Sequence, residues 1–182
     1  MRIFSHHTYY NKIRQKSSDV SNGLSVVHYS RRGPNCYTDI MNDGAILQYS
    51  KEHPKRDVAV VGLRDLDGNV LLMRTHKLSD FWQPIGGGIN PNDTSPKAAA
   101  VRELREEFGI AIDAAMLIVV LTTPYDFGEG TIYFFDVIID RDNTEFNVDP
   151  NQVVEYRWFS KEEALTLPSM AATHTYLQQL TK

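Results

Sequence analysis

An α/β fold, with a mixed β-sheet lying between helices, is predicted for this chain on three observations. Apolar runs of strand length alternate with segments of helical periodicity instead of being segregated along the chain. One segment, Ser95 to Phe108, has a helical repeat with both ends marked. The chain of 182 residues, 42% of them apolar, can also bury one substantial core.

The elements follow in order. Residues 1 to 53 are polar and irregular, with turn signals at Ser17-Ser18, Asn22-Gly23 and Arg31-Arg32-Gly33-Pro34 around short strand-like runs such as Leu24 to Tyr29. We read them as an N-terminal extension whose role stays open between covering a sheet edge, forming a homodimer and shaping a pocket. Residues 54 to 182 form the main domain. Val58 to Leu63 and Val70 to Arg74 are strand candidates joined by the turn Asp65-Leu66-Asp67-Gly68-Asn69, which predicts a hairpin. A third short strand, Phe81 to Ile85, runs into Gly86-Gly87-Gly88, where missing side chains allow unusual backbone angles and close approach by a ligand. In the helix, Ser95 or Thr94 can cap the start and Pro96 suits the first turn. Ala98, Val101, Leu104, Arg105 and Phe108 supply the repeat, and Gly109 stops it. Met116 to Thr123, Thr131 to Ile139 and Tyr156 to Phe159 read as further strands, with Lys161 to Leu165 and Ala171 to Leu180 as closing helices.

Composition narrows the function. A net charge of -4 provides no broad basic field, so a long nucleic acid is disfavoured as partner while a small phosphorylated ligand is not. The lone Cys36 forms no intrachain disulfide and no cysteine zinc site, in keeping with a reducing cytoplasm. The start, Met-Arg-Ile-Phe-Ser-His-His, lacks an apolar signal core, and the longest apolar run, Ala114 to Leu121, falls far short of the roughly 20 residues a membrane helix needs. A cytoplasmic protein with no membrane partner is therefore expected. Asn92-Asp93-Thr94 matches a glycosylation acceptor by chance on this reading.

The chemistry concentrates in the marked helix. In Arg102-Glu103-Leu104-Arg105-Glu106-Glu107-Phe108-Gly109-Ile110, the residues Glu103, Glu106 and Glu107 stand at i, i+3 and i+4 on one face. Like charges so placed oppose one another, and a positive partner is expected between them. Oxygen-only ligands are what Mg²⁺ prefers, and Mg²⁺ there would neutralise a diphosphate and activate water. Spacing by itself leaves an acidic, solvated helix face as the competing reading.

The stretch Gly88 to Ile110 resembles the Nudix (MutT-like) box: Gly, five residues, Glu, seven residues, then Arg-Glu-apolar-any-Glu-Glu-any-Gly-apolar. Every position from Arg102 to Ile110 matches. Trp82-Gln83-Pro84-Ile85-Gly86-Gly87 is similar to the family's lead-in, and Glu155-Tyr156-Arg157-Trp158-Phe159-Ser160 to its closing strand and helix, so the resemblance covers about Asp57 to Leu180. It implies a Nudix αβα sandwich and a Mg²⁺-dependent pyrophosphohydrolase, with Mn²⁺ as substitute. The expected substrate is a small nucleoside diphosphate derivative such as a nucleoside triphosphate or nucleotide sugar. It further implies metal ligation by Glu103, Glu106, Glu107 and the Gly88 carbonyl. Glu103 and Glu107 would be central to catalysis, and Arg102 would hold a carboxylate in place.

Two departures stand out. The first acidic position holds Thr94, with Asp93 one residue earlier and able to substitute for it. Where many members have a late Glu this chain has Gln152, leaving Glu129, Asp149 or Glu155 for that role, Glu129 ranked first. Arg74, with His76 and Lys77, could meet a distal phosphate or be an ordinary solvated loop. Trp82, Tyr125, Phe127 and Tyr133 could stack on a base or belong to the core, Tyr125 being the best placed for stacking. The histidines, including His6-His7, have no metal-ligand spacing. A non-catalytic Nudix-fold domain that senses a nucleotide or serves interaction is the rival reading.

Overall fold

The computed structural model of the protein describes residues 55–126 and 128–181. The extension 1–53, with its Leu24–Tyr29 run, Cys36 and His6-His7, and also Phe127, lie outside these residues.

Seven strands and three α-helices are described: β1 (Val58–Arg64), β2 (Val70–Thr75), β3 (Leu78–Gln83), β4 (Ile85–Gly88), α1 (Pro96–Phe108), a short 3₁₀ turn (Ala114–Met116), β5 (Ile118–Pro124), β6 (Thr131–Ile138), β7 (Val153–Phe159), α2 (Lys161–Ala164) and α3 (Ala171–Gln179). The strands make one sheet in the order β3-β2-β1-β6-β5, with β4 added on β1 and β7 on β2. β1 and β6 run parallel and the other pairs antiparallel, so the sheet is mixed. The expected hairpin closes where Leu63 pairs with Leu71 and Arg64 with Val70. Asp65 ties the turn by accepting from the backbone of Asp67 and Asn69.

The central strands are apolar on both faces because both faces are covered. Ala59, Val61 and Leu63 of β1 pack with Ala99, Ala100, Leu104 and Phe108 of α1. Val60, on the opposite side, joins Ala164 of α2 and Ala172, Tyr176 and Leu177 of α3. This is the αβα sandwich. Gly62 faces α3 because a Cβ there would stand 2.8 Å from Asp136 Oδ1 and closer still to the Tyr176 hydroxyl. That buried hydroxyl donates to Asp136 Oδ1 at 2.7 Å, and Arg64 Nη1 reaches Asp136 Oδ2 at 3.2 Å.

Three details differ from the sequence reading. The single strand expected over Phe81 to Ile85 is two, β3 and β4, broken at Pro84, which has no N–H to give a ladder. Gly86 to Gly88 belong to β4, in register with Val60, Ala59 and Val58 of β1, instead of following the end of a strand at Ile85. The apolar run from Ala114 divides into the 3₁₀ turn and edge strand β5, where Ile118 and Val119 remain exposed. Among the described residues no helix is long and apolar enough to cross a membrane.

Candidate active site

Helix α1 delivers its carboxylates in a set register because both ends are held. Ser95 Oγ accepts from the Ala98 N–H at 3.1 Å, Pro96 occupies the first turn, and Gly109 takes a left-handed φ of 70° that closes bonds to the Arg105 and Leu104 carbonyls. Of the two candidate caps, Ser95 is the one used.

The three glutamates share a face but not an environment. Glu103 and Glu107 are buried against the sheet, whereas the Glu106 side chain is 46% exposed. Gly86 and Gly87 make the close approach possible. The Gly86 N–H donates to Glu107 Oε2 at 3.1 Å, and a Cβ on Gly87 would lie 2.7 Å from Glu103 Oε1. Burial, and then the charge of Glu103, push Glu107 up to about 8. Burial also raises Glu103 above its ordinary value.

The positive partner expected between the carboxylates is Arg102. Its Nη1 donates to Glu103 Oε1 at 2.7 Å and to Glu106 Oε2 at 2.9 Å, and its Nη2 to the Gly88 carbonyl at 3.0 Å. Asp93 grips the far side of the guanidinium, accepting from Nε at 3.1 Å and from Nη2 at 3.0 Å. That fork draws the Asp93 carboxyl below its usual range, with the Asn90 N–H helping, and raises Arg102 further. Asp93 thus makes the contact that the resemblance assigns to an acid at position 94.

The donors suit a hard divalent cation: three carboxylates and the Gly88 carbonyl, all oxygen, with a buried Glu107 whose charge is only partly offset. Among the described residues no three acidic or imidazole side chains converge on one point, because the Arg102 guanidinium stands between Glu103 and Glu106. Arg102 engages only Oε1 of Glu103 and Oε2 of Glu106, which leaves the other oxygen of each carboxylate for a cation.

The remaining expected residues disperse. Arg74 is paired with Glu155 and lies 5.1 Å from the Trp82 ring centroid. Trp82 is buried, edge-on to Phe159 with centroids 4.9 Å apart. His76 turns to the Pro150 carbonyl at 3.1 Å. Tyr125 is buried in the core on the α3 side instead of lying in an open loop, since β5 extends to Pro124 and the Tyr125 N–H closes onto the Gly130 carbonyl. Tyr133 packs against the core on the α1 side. Among the late-loop acids, Glu155 is held by Arg74 and Arg157, and Asp149 caps its own turn through Asn151 and Gln152. Glu129 is exposed, and its backbone carbonyl accepts from the Arg56 N–H at 2.8 Å. Arg56 itself escaped the sequence reading although its guanidinium lies against Gly88. The signal available was a cation shortly before the strand that pairs with the glycines.

A model of the NUDIX domain matches residues 53–180, and the chain belongs to the Nudix family. None of the curated proteins matches significantly. Solved structures agree in fold. A MutT NUDIX hydrolase from Burkholderia pseudomallei is 21% identical, with 71% of this chain and 100% of that one covered and a TM-score of 0.58. An Ap4A hydrolase from C. elegans is 18% identical, covering 68% and 93%, with a TM-score of 0.55. The NUDIX domain of Shewanella oneidensis NrtR, solved with ADP-ribose, is 15% identical over 76% and 96%, with a TM-score of 0.58.

Proposed function

We propose that the protein hydrolyses a diphosphate linkage in a small nucleoside diphosphate derivative in a Mg²⁺-dependent reaction, with Mn²⁺ able to substitute. The observation that carries this reading is the pair of buried carboxylates, Glu103 and Glu107, pressed against glycine backbone, with Glu103 joined to Glu106 by an arginine that Asp93 anchors. Glu103, Glu106, Glu107 and the Gly88 carbonyl would hold the ion, which neutralises diphosphate charge and makes water a better nucleophile. In the metal-free protein burial raises the Glu107 carboxyl to about 8, and a cation bound beside it would favour the ionised form that can take a proton from attacking water. The Gly86 N–H orients that carboxylate through Oε2. Arg102 supplies positive charge beside the carboxylates and, fixed by Asp93, keeps Glu103 and Glu106 from repelling freely. Products would be a nucleoside monophosphate and a second phosphate-bearing fragment.

A sensing role is the second reading, favoured by the guanidinium that occupies the space between Glu103 and Glu106. The test is monophosphate release from nucleoside triphosphates, nucleotide sugars, ADP-ribose and dinucleoside polyphosphates with Mg²⁺. Turnover by wild type that falls at least about a thousandfold in Glu107→Gln supports the hydrolase, a loss typical of removing a principal catalytic group. Binding of a panel member without turnover supports the sensor.

A further inference from the structure

We propose that Arg56, whose guanidinium lies over the bare backbone of Gly88, is the substrate-phosphate cation of this site. This assignment rests on the diphosphate reading above and adds the residue that grips the phosphoryl group lying away from the carboxylates.

Arg56 lies two residues before β1, and the β1–β4 register sets Val58 opposite Gly88. Gly88 is not among the glycines with positive φ, so its backbone would accept any residue. A Cβ on Gly88 would lie 2.7 Å from the Arg56 Cζ, and nearer still to Nε and Nη2, so a side chain there would displace the guanidinium from the bare backbone it now lies on. The Arg56 main chain is held as firmly. Its N–H donates to the Glu129 carbonyl at 2.8 Å, and Gly130, at φ 135°, leaves room for its carbonyl.

The guanidinium so placed has no carboxylate within 4 Å among the described residues, although its charge is felt at Glu103. The other arginine that touches Gly88, Arg102, has spent its donors on Asp93, Glu103, Glu106 and the Gly88 carbonyl. Arg56 therefore brings uncommitted, fork-shaped donors to the glycine strand from which Glu103 and Glu107 are reached. A planar guanidinium matches phosphate oxygens two at a time, which a lysine cannot do. A diphosphate across β4 would meet the carboxylate cluster with one phosphoryl group and Arg56 with the other.

The experiment titrates inorganic pyrophosphate into the full-length protein with Mg²⁺ by calorimetry, and follows Mn²⁺ binding without pyrophosphate by electron paramagnetic resonance. Arg56→Gln is expected to weaken pyrophosphate binding about ten- to hundredfold, the size of a lost charge-assisted hydrogen bond, with Arg56→Lys losing less. Mn²⁺ binding should equal wild type in both. Gly88→Ala keeps the charge but shifts the guanidinium, and should weaken pyrophosphate binding less than Arg56→Gln does. Pyrophosphate binding unchanged in Arg56→Gln, absent from wild type, or lost only together with Mn²⁺ binding would overturn the assignment. If pyrophosphate binds through Arg56 and yet no nucleotide is hydrolysed, the hydrolase reading falls and the anion site stands.

Discussion

Replacing Glu107 by Gln should stabilise the metal-free protein, and do so increasingly as the pH rises. Unfolded, Glu107 ionises near 4.5; folded, it ionises at about 8. The folded state therefore holds its proton more tightly, and stability falls as pH climbs from 4.5 through 8. Below 4.5 the carboxyl is protonated in both states and the cost vanishes. The displacement corresponds to about 5 kcal/mol at its limit above pH 8, and relaxation of the surroundings and water entry bring the expected figure to about 2–3 kcal/mol. Glutamine keeps an oxygen for the Gly86 N–H and loses both the desolvated charge and the repulsion from Glu103. Urea unfolding in EDTA at pH 5.5, 7 and 8.5 measures this, with a midpoint gain on heating of about 5–10 °C at pH 8.5. Burial of Glu103 adds a trend of the same sign to both proteins, so the difference between them isolates Glu107. Mg²⁺ should narrow the gap by binding folded wild type preferentially. A variant no more stable than wild type at pH 8.5, or a gap that does not widen with pH, would refute the argument.

Other outcomes follow from single contacts. Asp93→Asn removes the charge that grips Arg102, and turnover or Mn²⁺ affinity should drop about ten- to hundredfold as for other outer-shell partners, read by steady-state kinetics and metal titration. Gly109→Ala puts a Cβ 2.7 Å from that of Asn147 at a φ of 70°, and chemical denaturation should show a loss of about 1–3 kcal/mol. Tyr176→Phe takes a donor from the buried Asp136 carboxylate, whose pKa burial already raises, and thermal unfolding should register about 1–3 kcal/mol.

Local rules made much of the fold legible. The hairpin turn at Asp65 to Asn69, the caps Ser95 and Gly109, and the i, i+3, i+4 carboxylates are set by neighbours within a few residues, which a sequence displays directly. The strand boundary at Pro84 is hidden in the sequence although its cause is local, because Phe81, Trp82 and Ile85 on its two sides read as one run. Tyr125 and Trp82 looked available for stacking because aromatic residues near turns carry no sign of what will cover them. Here Phe159 and the segment at Pro168 and Ser169 lie against Trp82, and Tyr125 joins the core shared with α3, all from far along the chain.

By itself the sequence determined that a mixed sheet sits between helices and that one capped helix carries Arg102, Glu103, Glu106 and Glu107 in Nudix-box spacing. Only the tertiary structure decided which of those carboxylates lose their water, that Asp93 and not residue 94 holds Arg102, and that Arg56 lies on Gly88. The physical reason is range. Periodicity and capping depend on contacts a few residues apart, whereas burial, pairing of charges and the fit of a guanidinium against a bare backbone depend on elements that meet only when the sheet closes.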